Sequence, residues 1–136
     1  MAIIPGSTDL TAPYWDAARR HALVAQRCGD CGRLRHPPLP RCPACRGADV
    51  DWIPLAGDGF LYTYTVVWHP THAALRDRVP YVVALVELAE GPRVVANILD
   101  CPVDEVSVGM PVRVTFEHVA DGVVVPQFVP TSADGQ

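Results

Sequence analysis

Two cysteine pairs, Cys28-Gly29-Asp30-Cys31 and Cys42-Pro43-Ala44-Cys45, constrain this chain more than any other feature. Ten residues lie between them. Two C-x2-C pairs at this spacing can close around one tetrahedral metal as a four-cysteine ribbon, with Cys28, Cys31, Cys42 and Cys45 as ligands. Gly29 and Gly32 tolerate a turned backbone, and Pro43 stiffens the second knuckle. The intervening segment, Gly32 to Arg41, is too polar and proline-rich for a core strand pair, so the metal would act as its staple. Zinc is the expected ion; iron in a rubredoxin-like site also suits four thiolates. Met1 to Gly6 carry neither a basic leader nor a long apolar run, so no signal peptide is expected. A cytoplasmic chain keeps its thiols reduced, which favours metal over disulfides. A site of four thiolates is closed and gives structure rather than catalysis. Cys101 stands apart, between Asp100 and Pro102, and reads as a small buried hydrophobe.

At 136 residues the chain is one ordinary domain with a small appendage, and 49% hydrophobic residues suffice for a core. No apolar run approaches the length of a membrane span, so no membrane partner is expected. The net charge of -4 argues against bulk nucleic-acid binding. Every basic residue is an arginine, and those from Arg19 to Arg46 share their segment with a single acid, Asp30.

Pro13 to Arg27 is rich in helix formers, and Tyr14, Trp15, Ala18, Ala22 and Ala25 can share one face. The expectation is a helix over this span, capped by Thr11, since proline suits a first turn. From Gly57 the periodicity changes. Phe60–Trp68, Tyr81–Leu88, Arg93–Leu99, Pro111–Val119 and Val123–Val129 read as five strands, rich in valine, aromatic residues and threonine. Glu90-Gly91-Pro92 and Asp121-Gly122 are turn signals. Pro126 marks the fifth strand as an edge or a bulged strand. On an ideal first strand Phe60, Tyr62, Tyr64 and Trp68 share one side, used for core packing or as a barrel mouth, with Leu61, Thr63 and Thr65 opposite. Five antiparallel strands with a long first strand fit a small closed Greek-key barrel of the OB type. The fold class is thus mainly β: an N-terminal helix, a zinc ribbon and an OB-fold barrel. The expected divisions are a lead-in and helix over 1–27, the ribbon over 28–56, the barrel over 57–130 and a tail over 131–136.

Catalytic equipment is sparse. None of Ser7, Ser107 and Ser132 sits in a nucleophile elbow, and there is no glycine-rich phosphate loop. His69-Pro70-Thr71-His72 resembles a metal pair, but Pro70 prevents one helix presenting both rings, so it reads as a loop. His36 could bond a knuckle sulfur or solvent. His21 is expected to be solvated on the helix, and His118 to end a strand. Glu87 and Glu117 read as ordinary outward carboxylates. The ribbon arginines Arg33, Arg35, Arg41 and Arg46 could grip the phosphates of a CoA nucleotide or the carboxylates of a partner, or simply be solvated.

The order of helix, C-x2-C-x10-C-x2-C ribbon, Gly59–Val67, Pro80–Leu88, Gly91–Asn97 and Val108–Val114 resembles the DUF35 family. Members join a rubredoxin-like zinc ribbon to an acyl-CoA-associated OB-fold domain. The resemblance covers roughly residues 13 to 130. It implies a zinc site at Cys28, Cys31, Cys42 and Cys45 and no catalytic residue in this chain. It also implies a non-catalytic role beside a thiolase-superfamily enzyme, such as a thiolase, an acyltransferase or a lipid-transfer-protein-like aldolase. The substrates would be acyl-CoA thioesters of lipid or steroid side-chain metabolism. A two-plus-two heterotetramer is the expected assembly, and a MaoC-like hydratase is a further partner. The competing reading is a single-stranded nucleic-acid binder built from the same barrel and ribbon. The absence of lysine and the acidic barrel weigh against it.

Overall fold

The computed structural model describes residues 6–131. A short helix, α1 (Ala12–Arg19), is followed by eight strands: β1 (Val24–Cys28), β2 (Leu34–Arg35), β3 (Val50–Pro54), β4 (Asp58–Val67), β5 (Tyr81–Leu88), β6 (Arg93–Ile98), β7 (Pro111–Ala120) and β8 (Val123–Pro130). The first three form a sheet in the order β2-β1-β3. The other five close into a barrel in the order β4-β5-β6-β8-β7. The fold is therefore mainly β, with one helix and a closed five-strand barrel, as expected. Among the described residues, no helix is long and apolar enough to cross a membrane.

The helix is shorter than its composition suggests. Thr11 does occupy the N-cap, but its hydroxyl pairs with Thr8 rather than with a helix N–H. At the other end the His21 N–H donates to Ala18 O and the Ala22 N–H to Ala17 O, and His21 takes a left-handed φ of 59°. The chain reverses there. Ala25 and Gln26, expected on a helix, lie in β1, which pairs with β3 from Val24↔Pro54 to Cys28↔Val50. A full ladder outweighs the small helix preference of alanine, glutamine and arginine.

The barrel core follows from alternation. In β5 Val82, Ala84, Val86 and Leu88 point inward and are buried, and Val94, Ala96 and Ile98 do the same in β6. Gly59 marks a close crossing: a Cβ there would run into the Glu87 carbonyl of the neighbouring strand. Tyr14 and Leu23 join the same hydrophobic cluster as the barrel residues, so the helix and its exit turn cover the barrel.

Two expectations about the strands need correction. The register of β4 against β5 slips between Leu61 and Thr63, which leaves Tyr62 as an extra residue. A bulge of this kind reverses the inside–outside parity beyond it. Phe60 and Tyr62 therefore face solvent, while Leu61, Tyr64 and Val66 face or line the core. The aromatics of β4 do not share a side. The second correction concerns β8, which is not an edge strand, because it pairs with β7 along its length and with β6. Its irregularity lies opposite, between His118 and Ala120 of β7, rather than at Pro126.

The β6–β8 seam is the thinnest part of the barrel. Its ladder has one parallel bridge, Ile98↔Phe128, with the Leu99 N–H donating to Phe128 O at 2.8 Å. A side chain extends it: Gln127 Oε1 accepts from the Asn97 N–H at 2.7 Å. Gln127 Nε2 donates to Asn97 Oδ1 and Glu117 Oε1. Replacing Gln127 with alanine should cost about 1 kcal/mol or more, because a part-buried backbone N–H loses its acceptor. Urea unfolding is the check, and an unchanged midpoint would mean water takes over the seam.

Candidate functional site

The ribbon is built by two turns that point their sulfurs at one spot. The Gly32 N–H donates to Cys28 O and the Arg46 N–H to Cys42 O, closing each knuckle; Gly32 has φ +80° and Arg46 φ +64°. The Sγ atoms of Cys28, Cys31, Cys42 and Cys45 all lie within 4.8 Å of one another. Cys28 Sγ is 3.5 Å from Cys45 Sγ, and Cys31 Sγ 3.6 Å from Cys42 Sγ. Tetrahedral Zn–S bonds near 2.3 Å place sulfurs about 3.8 Å apart, whereas a disulfide needs about 2.05 Å. The thiols are free in this structure, and their spacing fits a metal.

Backbone amides prepare the thiolates. The N–H groups of Asp30 and Cys31 point at Cys28 Sγ, and that of Gly47 at Cys45 Sγ, each at 3.4 Å. Hydrogen bonds from the Cys45 and Ala44 amides pull Cys42 down to about 6, and those of Cys31 and Asp30 pull Cys28 down. For Cys45 the Gly47 N–H favours the thiolate, yet Cys28, burial and the other two sulfurs push the thiol up to about 12. Sulfurs this close cannot all ionise without a cation among them. A divalent ion such as zinc meets that need, and four thiolates leave it no open position for substrate.

The ribbon arginines do not act as one group. Arg35 is buried; its Nε donates to Gln26 Oε1 at 2.7 Å and its Nη2 to Leu39 O at 3.1 Å. The same Gln26 Oε1 accepts from the Leu39 N–H at 2.9 Å, so Gln26 and Arg35 together hold the proline-rich loop to β1. Arg35 is a structural cation here, not an exposed phosphate grip. Arg41 donates to Arg46 O at 3.0 Å and braces the second knuckle. Arg33 and Arg46 keep exposed side chains. Gln26 escaped the sequence reading because it lay in the presumed helix.

The histidines also differ from expectation. His36 is drawn under Tyr14, with ring centroids 5.1 Å apart, and burial lowers its pKa. His21 is exposed as expected, but it lies past the helix end, with its Nε2 2.9 Å from His118 Nε2 and its ring stacked on Phe116. His72 Nδ1 accepts from the Ala74 N–H and caps a single 3-10 turn, Ala73–Leu75, as a loop residue would. Tyr14 and Trp15 pack inward on the shared cluster.

The barrel surface carries little free positive charge. Arg78 pairs with Glu117, Arg93 with Glu87 and Arg113 with Asp58. A backbone-tracking groove needs arginines without such partners, so the electrostatics disfavour nucleic acid. A cleft of about 210 Å3, lined by Arg78, Tyr81, Asn97 and Cys101 among others, lies on the barrel flank. Pockets that enclose a whole small molecule usually run from about 300 to 1,000 Å3.

Comparison with known proteins adds an independent line. Residues 15–51 match the family described as "ChsH2, rubredoxin-like zinc ribbon domain", and residues 52–117 match "ChsH2, C-terminal OB-fold domain". A "DUF35 domain-containing scaffold protein" of Methanocaldococcus jannaschii is 38% identical over 77% of this chain and 77% of its own length. A "Probable enoyl-CoA hydratase alpha subunit" of Thermomonospora curvata is 44% identical over 86% of this chain, which spans 36% of that relative. The "Benzoylsuccinyl-CoA thiolase subunit BbsA" of Thauera aromatica is 29% identical over 74% of this chain and 62% of its own length. Among solved structures, a chain of the "Ltp2-ChsH2(DUF35) aldolase" superposes with a TM-score of 0.86 at 42% identity, covering 93% of this chain and 98% of that one.

Proposed function

Because the chain belongs to the DUF35 family of scaffold proteins, we propose that it is the non-catalytic partner of a thiolase-superfamily enzyme acting on acyl-CoA thioesters. The observation that carries this reading is the end-to-end likeness, at 42% identity, to a chain of the Ltp2-ChsH2(DUF35) aldolase. The likeness to a thiolase subunit points to the same class of partner. The chemistry agrees: a closed tetrathiolate centre supplies fold, and the nucleophile and acid–base groups would come from the partner.

The barrel supports docking through side chains. A closed barrel has no free edge for an added strand. Its outer face carries Phe60, Tyr62 and Val95, all well exposed, with Arg93 stacked 3.9 Å over the Tyr62 ring. Aromatic and arginine side chains are common interface anchors. The substrate class is an acyl-CoA of lipid or steroid side-chain breakdown, with the flank cleft taking at most part of it. The assembly is a two-plus-two heterotetramer. A hydratase would complete the set, in keeping with the name of the longer Thermomonospora relative.

The test is co-expression with a thiolase-like protein from the same host. A stoichiometric complex with two copies of each chain is expected by light scattering. The partner alone should be weakly active or insoluble, and added scaffold should restore acyl-CoA turnover. Unchanged partner kinetics would overturn the proposal.

A further inference from the structure

The end of α1 holds a residue its backbone does not favour. Among the described residues most left-handed positions are glycines, Gly91 and Gly122 among them, because a Cβ is strained there. His21 occupies such a position after the helix, with φ 59°. Its ring is fixed by tertiary contacts. It stacks on Phe116 with centroids 5.3 Å apart and planes 2° from parallel, and its Nε2 faces His118 Nε2 at 2.9 Å. The two rings come from the helix exit and from β7, 97 residues apart in sequence.

Two imidazole nitrogens 2.9 Å apart share a proton when their axes meet head-on, and hold a metal when their lone pairs converge beside the N–N line. Ordinary metal–imidazole bonds are about 2.0–2.1 Å, and two of them at a right angle set the nitrogens about 2.9 Å apart. Right angles belong to tetragonal and octahedral ions rather than to tetrahedral ones, and imidazole suits nickel and copper. Neither ring makes another side-chain or backbone hydrogen bond among the described residues, and both are exposed. The neighbouring charges are otherwise engaged: Glu117 faces Arg78 and Gln127, and Arg20 donates to Asp16 O. Water or an outside donor is left to fill the other positions.

We propose that His21 and His118 form a two-ligand site for a divalent transition-metal ion of the nickel or copper type, which clamps the end of α1 to the barrel. The site is separate from the four cysteines in residues and in ligand type. The ion binds the folded chain, where the two rings are held together, more tightly than the unfolded one, so it stabilises the helix–barrel junction by mass action.

The full chain, its cysteine site loaded with zinc, is titrated with Ni2+ by calorimetry, with melting followed in parallel. One Ni2+ per chain and a dose-dependent rise in Tm are expected. His118→Gln should weaken binding by about tenfold or more, the usual minimum for damage to a metal's ligand shells. His21→Asn should do the same while keeping a residue that tolerates the left-handed backbone. Both variants should keep the circular dichroism of the parent. A double His69→Gln, His72→Gln variant should bind as the parent does. Equal affinity in the parent and His118→Gln, or no saturable Ni2+ binding by the parent, overturns the proposal.

Discussion

Stripping the zinc with a chelator, or replacing Cys28 with serine, is expected to unfold the ribbon sheet spanning residues 24–54 and leave the barrel folded. Apart from the Gln26–Arg35 hydrogen bonds, the ribbon has little else to hold it. Its three strands are five, two and five residues long, and β3 buries none of its side chains fully. Structural zinc in small ribbons supplies on the order of 10 kcal/mol of binding energy, which the unfolded chain cannot recover. Cys28 is the most informative position because it is buried, ends β1 and receives two backbone N–H groups. The barrel, by contrast, has its own ladders and core. It should not escape entirely, because Tyr14 and Leu23 belong to the barrel's hydrophobic cluster and lie just ahead of the ribbon. Amide hydrogen exchange separates the outcomes. Loss of protection at Gln26 and Ile53, with retention at Ala84 and Val86, is expected. Loss everywhere in one step would mean a single cooperative unit, and no loss anywhere would mean that the metal is not structural.

Phe128→Ala should be the most damaging single truncation in the barrel. Phe128 is fully buried and sits where β8 meets both neighbours, opposite Ile98 in β6 and Val114 in β7. Removing its ring should cost about 3–5 kcal/mol. That is a large fraction of the 5–15 kcal/mol that holds an ordinary domain together. Phe60→Ala is the matched control. Phe60 is 47% exposed on the outer face, so its loss should change stability by no more than about 0.5 kcal/mol. Guanidinium melts of the two variants test the sidedness that the Tyr62 bulge imposes. Comparable destabilisation would place Phe60 in the core and refute the assigned register. A near-neutral Phe60→Ala that lowers complex formation with a thiolase-like enzyme would fit the proposed docking role.

Much of the architecture is legible because it rests on local signals. The knuckle spacing predicts four thiolates around one point, and the sulfurs lie within 4.8 Å of one another. β5 coincides with the valine-rich run from Tyr81 to Leu88, where period-two alternation is strict. The turns at Gly91 and Gly122 take positive φ, as their glycines suggest. Local signals fail where a distant partner decides. Ala22 to Arg27 carries helix formers, but β3 captures most of it as a strand. The aromatics of β4 look one-sided until one extra residue opposite β5 reverses the pattern.

Several long-range polar contacts were hidden for the same reason. Arg35 looks like a free cation, yet Gln26 and Leu39 enclose it. His21 and His118 meet only because α1 ends early and the barrel places β7 beside that end. The amino-acid sequence by itself determined the metal ligands, the class of fold and the core-facing alternation of the central strands, since each depends on spacing within a short window. The tertiary structure alone decided where the helix stops, which aromatics face outward and which distant polar groups meet. Those outcomes turn on the pairing of segments far apart in the chain, and a single shifted register reverses them.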